Sequence, residues 1–306
     1  DLGGQVWRVD IAEAVPTTGT RSTGTIVGLL AQISNSTKEN RRRFFEPPSI
    51  VQVTDTAFST SEEYDYVLIG SGNRTHPLEE SVHDKFYAFR DRFISNNALS
   101  DSNGDHVSGD NDGYPTPTNK PYSHEDKNSL LNITTKGVEA QLASDPGKVK
   151  ASDGWFFDFA EANSGRAGEK MLSSPLTAGG AAIFTTFDPK AEKGGNATSS
   201  SSGNTTAAQA KKNNPCAAAP NIGTARAYHL NILTAEPPEL TEVKGNNKQA
   251  NRFRAIIGSG IPSDVIPVFT QEGVIGIAQS DGKGVGLGQL SATTPERAFW
   301  NESIEF

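Results

Sequence analysis

Cysteine is almost absent. Cys216 stands alone in 306 residues, so no intrachain disulfide forms, and any disulfide would reach another chain or a segment outside this sequence. Such thiol poverty is compatible with an exported bacterial protein. No run approaches the ~18 apolar residues of a membrane-crossing helix, so no membrane-spanning segment is expected. Basic residues are outnumbered 28 to 36, and the net charge of −8 argues against a nucleic-acid backbone or an anionic lipid surface as partner. Catalytic signatures are missing too. There is no GxSxG, HExxH or CxxC, and the five His are scattered. His83-Asp84, beside Lys85, could be imagined as a base with its orienting acid, but neighbours on a strand face opposite ways. The chain is therefore not expected to be an enzyme. Asp1-Leu2-Gly3-Gly4 has neither a basic nor an apolar leader character, and the chain reads as a mature product or a fragment.

What is abundant is turn chemistry. Thirty Gly and 17 Pro against 35% hydrophobic residues favour many short strands joined by loops. Short alternating runs ending in aromatics recur, as in Val6-Trp7-Arg8-Val9-Asp10, Phe86-Tyr87-Ala88-Phe89-Arg90-Asp91 and Ala227-Tyr228-His229-Leu230-Asn231. Further strands are expected over 64–70, 154–159, 181–187, 253–257 and 265–278, the last broken at Gln271-Glu272-Gly273. Ile69-Gly70-Ser71-Gly72 returns as Ile257-Gly258-Ser259-Gly260. Pro77 and Pro262 follow too closely for a phosphate-binding loop opening a helix, so the pair is read as a tight turn at equivalent places in two repeats. The expected class is all-β, a β-propeller or a β-solenoid; at ~45 residues per blade a propeller would have about six blades. Trp7, Trp155 and Trp300 suit core or blade packing, and Arg41-Arg42-Arg43 reads as a solvated turn. Two polar insertions interrupt the pattern. One covers 96–129 and is acidic; the other, 189–220, is low in complexity and suits an insertion inside a hairpin.

The acidic insertion holds the sharpest chemical signal: Asp101-Ser102-Asn103-Gly104-Asp105-His106-Val107-Ser108-Gly109-Asp110-Asn111-Asp112. Oxygen-bearing side chains fall at loop positions 1, 3 and 5, a carbonyl is offered at 7, and an acid closes position 12. Ca²⁺ needs six to eight oxygens at ~2.3–2.6 Å, and alternate residues of a tight loop converge on one point. Asp101, Asn103, Asp105 and Asp112 are the expected side-chain ligands, with Val107 through its backbone oxygen and Asp110 in reserve for Gly109. His106 stands where such loops favour Gly, and Asp112 is shorter than a closing Glu, which suits a loop without flanking helices. The competing reading is an acidic solvated loop. Four acids and no Lys or Arg within twelve residues would repel one another without a cation.

The ordered segments Asp1-Leu2-Gly3-Gly4-Gln5-Val6-Trp7-Arg8-Val9-Asp10, Tyr66-Val67-Leu68-Ile69-Gly70-Ser71-Gly72-Asn73-Arg74 and Phe86-Tyr87-Ala88-Phe89-Arg90-Asp91 resemble the C-terminal domain of the PilY/PilC proteins. So do Gly154-Trp155-Phe156, Gly168-Glu169-Lys170-Met171-Leu172-Ser173-Ser174-Pro175-Leu176, Gly258-Ser259-Gly260-Ile261-Pro262-Ser263 and the region of Trp300. These are type IV pilus tip adhesins and biogenesis factors. The resemblance implies that 1–306 form a modified β-propeller with a calcium loop, incomplete here because the chain is expected to start mid-domain. It also implies an extracellular place at the pilus tip or bacterial outer surface. Implied partners are the major and minor pilins, a surface ligand and an N-terminal adhesive region of the same protein. The implied role is a calcium-linked balance of pilus extension and retraction, hence twitching motility and attachment. The matching ligand positions are Asp101, Asn103, Asp105 and Val107; the family's usual Asp at loop position 9 is Gly109 here, leaving Asp110 or Asp112 to substitute.

Two other classes compete. A quinoprotein-type propeller dehydrogenase also uses Ca²⁺ but would place tryptophans at regular spacing, unlike the three here. A calcium-stapled structural module would carry a second copy of the loop, and one copy is present.

Overall fold

A computed structural model describes residues 1–11, 25–55, 62–91, 130–135, 141, 144–145, 152–190, 223–235, 254–270, 273–280 and 282–291. Among them, almost all regular structure is β, in four separate sheets. A hairpin pairs β1 (Gln5–Ile11) with β2 (Thr25–Gln32). The second sheet runs β3 (Ser49–Asp55), β4 (Glu62–Gly70), β5 (Lys85–Asp91) and β7 (Gly154–Asp158) as an antiparallel meander. A two-residue β6 (Leu131–Asn132) lies parallel at its edge. The third sheet contains β10 (Ala181–Asp188), β11 (Thr224–Asn231) and β12 (Arg254–Ser259). Its remaining strand is interrupted: β8 (Lys170–Met171) and β9 (Leu176–Ala178) both pair with β10. The fourth sheet is β13 (Ile266–Thr270), β14 (Gly273–Ser280) and β15 (Lys283–Ser291).

Alternation along the strands decides how these sheets stack. On β5, Phe86 and Ala88 face one way and Tyr87 and Phe89 the other. Phe86 and Ala88 join Leu68, Trp155 and Phe157 against Ala182, Phe184, Tyr228 and Leu230 of the third sheet. Tyr87 and Phe89 join Val67, Ile69 and Phe156 against Val6, Leu30 and Ala31 of the hairpin. The far face of the third sheet, with Ile183, Ala225 and Ala227, meets Val265 and Ala278. The hairpin, the two larger sheets and the last sheet thus follow one another face to face in chain order, as successive propeller blades do. The two inner sheets are buried on both faces. Phe184 ties them together, stacking on Phe86 at 4.0 Å between centroids and on Tyr228 at 5.0 Å.

Close approach accounts for three glycines. At the start of β7, Gly154 has φ +132°, and a Cβ there would lie 2.0 Å from the Ala88 carbonyl oxygen. Gly70 and Gly72 make room for the chain's one methionine: a Cβ on Gly70 would come within 2.1 Å of Met171 Sδ, and one on Gly72 within 2.2 Å of the Met171 carbonyl. The repeated tetrapeptide therefore does not mark equivalent places. Its first copy ends β4, an inner strand, and its second ends β12, an edge strand.

Three other expectations need correction. The strand expected over 154–159 stops at Asp158, whose side chain accepts the Glu161 N–H and opens a helical turn, Phe159–Ala162. Trp155 is fully buried, but Trp7 is half exposed. Arg42 is not solvated. At 1% exposure it donates to the carbonyls of His83 (2.6 Å) and Ile33 (3.3 Å) and to Asn40 Oδ1 (2.8 Å).

Candidate functional site

The six proposed calcium ligands, Asp101, Asn103, Asp105, Val107, Asp110 and Asp112, lie outside the described residues, as do Cys216 and Trp300. What the structure does define is where their segment is attached. The chain leaves β5 at Asp91 and returns at β6, and β7 lies between those two strands in the sheet. Asp91 is nearly buried and pairs with Arg8 of β1 at 2.5 Å. On β7, the Asp158 carboxylate takes the Lys85 ammonium at 2.9 Å. Burial pushes Asp158 up, yet Lys85 and the Glu161 N–H outweigh it and hold the carboxyl below its usual range. Burial also pulls Lys85 down, against the attraction of Asp158.

A second polar cluster sits between β8, β10 and β11. Arg226 is completely buried and bridges two acids, with Nη1 2.9 Å from Glu169 Oε2 and Nη2 3.0 Å from Asp188 Oδ2. Glu169 also accepts from Asn163 Nδ2 (2.5 Å), Thr186 Oγ1 (2.5 Å) and the Tyr228 hydroxyl (2.7 Å). Asp188 receives both terminal nitrogens of Arg166 and the Lys190 N–H. Burial alone would raise Asp188; the hydrogen bonds from Arg166 and Lys190 and the charge of Arg226 hold it below the ordinary carboxylate range. Each carboxylate here meets several donors. Such a cluster fixes geometry and offers no free acid or base. None of these long-range pairings could be read from spacing, since Glu169 and Arg226 meet only through the sheet register.

His83 and Asp84 precede β5 in its entry connection. They form no base–acid pair. Asp84 Oδ1 accepts from Ser71 Oγ at 2.7 Å, and the His83 carbonyl accepts from Arg42. Burial drives the Asp84 carboxyl up, opposed by Ser71 and by the charges of Lys170 and Arg42. Lys170 donates to the carbonyls of Pro77 (2.8 Å), Glu79 (2.6 Å) and Gly168 (2.8 Å). Above these two residues opens a cavity of about 120 Å³, also lined by Lys38, Arg41, Arg43 and Glu79. Among the described residues, no cluster of three or more His, Cys, Asp or Glu could hold a metal ion, and no helix is long and apolar enough to cross a membrane.

No protein-family model and no curated protein sequence matches the chain. Among solved structures, the chain is similar to the crystal structure of the Pseudomonas aeruginosa PilY1 C-terminal domain, with a TM-score of 0.48 and 13% sequence identity. The alignment covers 92% of this chain and 55% of that one, so this chain spans about half of its length.

Proposed function

We propose that this chain is a non-enzymatic, calcium-responsive module of the type IV pilus tip or outer cell surface, serving pilus assembly, extension–retraction balance, twitching motility and attachment. The ordered PilY/PilC-like segments support the pilus assignment. The observation that carries the calcium reading is the spacing of oxygen donors in the acidic segment 96–129, with Asp101, Asn103 and Asp105 at alternate positions. The connection that contains it leaves one sheet at β5 and rejoins it at β6, and Asp91, at its start, is tied to β1 through Arg8. A cation gathered by Asp101, Asn103, Asp105, the Val107 carbonyl and Asp112 or Asp110 would cancel the repulsion among those acids. With its flanking strands paired in one sheet, metal occupancy would change the surface that the segment presents and leave the core as it is. That is a population shift between two surface states, readable by a pilin or a surface ligand.

Calorimetric Ca²⁺ titration tests the reading, with the parent beside an Asp101→Ala/Asp105→Ala variant. Saturable binding with Kd on the order of 10⁻⁵–10⁻³ M, lost in the variant, is expected. No binding by the parent up to about 5 mM, beyond the range of extracellular calcium modules, would leave the segment a solvated insertion and remove the switch.

A further inference from the structure

The cavity above Asp84 and Lys170 runs against the charge of the whole chain. Four cations, Lys38, Arg41, Arg43 and Lys170, line it with two acids, Glu79 and Asp84, in a protein whose net charge is −8. The extended segment around Arg42 creates this arrangement. Arg42 turns into the protein, while its neighbours Arg41 and Arg43 line the cavity on the other side, as a two-residue period requires.

The two flanking arginines differ from others in the structure. Arg8 meets Asp91, Arg74 meets Glu46, Arg166 meets Asp188, and Arg226 meets Glu169 and Asp188. Among the described residues, Arg41 and Arg43 form no ion pair with a carboxylate, and Lys38 acts on Glu79 through its charge without an ion-pair contact. A guanidinium presents a planar fork of donors that fits a carboxylate, and two of them beside one lysine leave a strong unfilled preference for an oxyanion.

An anion alone does not match the lining, because the two acids would repel it. Glu79 engages Oε1 with the Ser81 N–H and hydroxyl. Asp84 is 2% exposed and takes one hydrogen bond, from Ser71 at Oδ1, while its Oδ2 is buried with no donor. That oxygen has almost no accessible surface, so a molecule in the cavity does not reach it, and the acid open to a ligand hydroxyl is the half-buried Glu79. Lys170 offers no spare donor, since its ammonium is held by three carbonyls. One water needs roughly 10–15 Å³, so about 120 Å³ has room for a small organic molecule.

We propose that this cavity binds a small hydroxylated carboxylate of the uronic-acid kind. Its carboxylate lies against Arg41, Arg43 and Lys38, and its hydroxyls donate to Glu79. None of its lining residues belongs to the acidic segment 96–129, and binding there needs no calcium.

The test is a titration of the full chain in EDTA, followed by calorimetry and by ligand-observed NMR, with D-glucuronate, D-glucose and inorganic phosphate as probes. D-glucuronate is expected to bind saturably and at least about tenfold more tightly than D-glucose, the gain of placing a carboxylate on a guanidinium fork. It should also bind more tightly than phosphate, which carries no sugar hydroxyls for Glu79. An Arg41→Gln/Arg43→Gln variant should lose about tenfold or more in affinity. Arg41 is exposed and Arg43 half-buried, so the variant should melt as the parent does, which separates lost binding from lost folding. Glu79→Gln should weaken glucuronate and leave phosphate unweakened. Glucose binding as well as glucuronate, phosphate binding as tightly, or full binding by the double variant would each overturn the proposal. So would an absence of glucuronate binding at tens of millimolar.

Discussion

Replacing Arg226 by methionine is the most demanding perturbation the structure offers. The side chain is fully buried and is the shared cation of Glu169 and Asp188. Methionine keeps most of the volume and removes the charge. Asp188 would keep Arg166, whereas the donors named for Glu169 besides Arg226 are the neutral Asn163, Thr186 and Tyr228. A buried pair broken from one side costs about 3–5 kcal/mol, because the remaining charge loses its compensation and stays out of water. With roughly 2–4 °C of Tm per kcal/mol in large domains, Arg226→Met should lower Tm by at least about 6 °C. A second change discriminates this cause from lost packing. Glu169→Gln removes the stranded charge, so the double variant should be more stable than the sum of the two single losses predicts, by about 0.5–3 kcal/mol. Acid unfolding adds an independent reading. Asp188 is held below its ordinary range, so its contribution is present above the unfolded carboxylate pKa and lost as pH falls through its folded one. Without Arg226 that depression shrinks, and acid unfolding should begin at higher pH. Thermal and urea melts at several pH values decide the matter. A single-variant loss under about 1 kcal/mol, or strict additivity in the double variant, would refute the reasoning.

Two further outcomes follow from the packing. Gly154→Ala should cost at least about 4 kcal/mol or abolish soluble expression, since a Cβ would lie 2.0 Å from the Ala88 oxygen, whereas Gly180→Ala, with φ +77° but nothing within 4 Å, should cost only the roughly 1–2 kcal/mol of backbone strain; equal losses in urea melts would show that crowding is not the cause. His229 is pulled down by burial, and neither ring nitrogen has a partner. Burial favours the neutral imidazole in the folded state, so the parent should lose stability as pH falls from the unfolded value of about 6.5 through the lower folded one. His229→Gln should flatten that part of the stability–pH curve, and an unchanged slope would show that another group titrates there.

The strands that sequence reading locates are those whose alternation carries large aromatics. β5, β10 and β11 are examples, with Phe86, Tyr87, Phe89, Phe184 and Tyr228 facing two different cores. β15 escapes because Lys283-Gly284-Val285-Gly286-Leu287-Gly288 looks like turn composition, although its apolar residues alternate correctly. β3 has a clear Ile50, Val51 and Val53 pattern but follows Pro47-Pro48, which reads as loop. The Arg41–Arg43 run misleads for a different reason. Charge density suggests a solvated turn, but an extended chain sends alternate residues to opposite sides, and one side here is interior. The cavity is assembled from connections 38–43, 73–84 and Lys170, which only the sheet stacking brings together.

The two buried acids Asp91 and Asp188 share a position that explains why these two charges enter the interior. Each is the last residue of a strand in one of the two inner sheets, and each stands where a long, apolar-poor segment departs: 92–129 after β5 and 189–223 after β10. Each is also held by arginine from elsewhere, Asp91 by Arg8 and Asp188 by Arg166 and Arg226. Closing a long loop costs entropy that grows only slowly with length, so the insertions themselves are tolerated. The weak point is the neck, where sheet pairing must stop at one residue and not fray inward. At the second neck, Asp188 pairs in register with Thr224, whose hydroxyl donates to the Lys190 carbonyl. A charged clamp at the last paired residue resists fraying more directionally than an apolar contact, because its hydrogen bonds fix angle as well as distance. These two charged clamps thus go with the insertions: an inner sheet can carry a long connection when the strand end from which it departs is pinned.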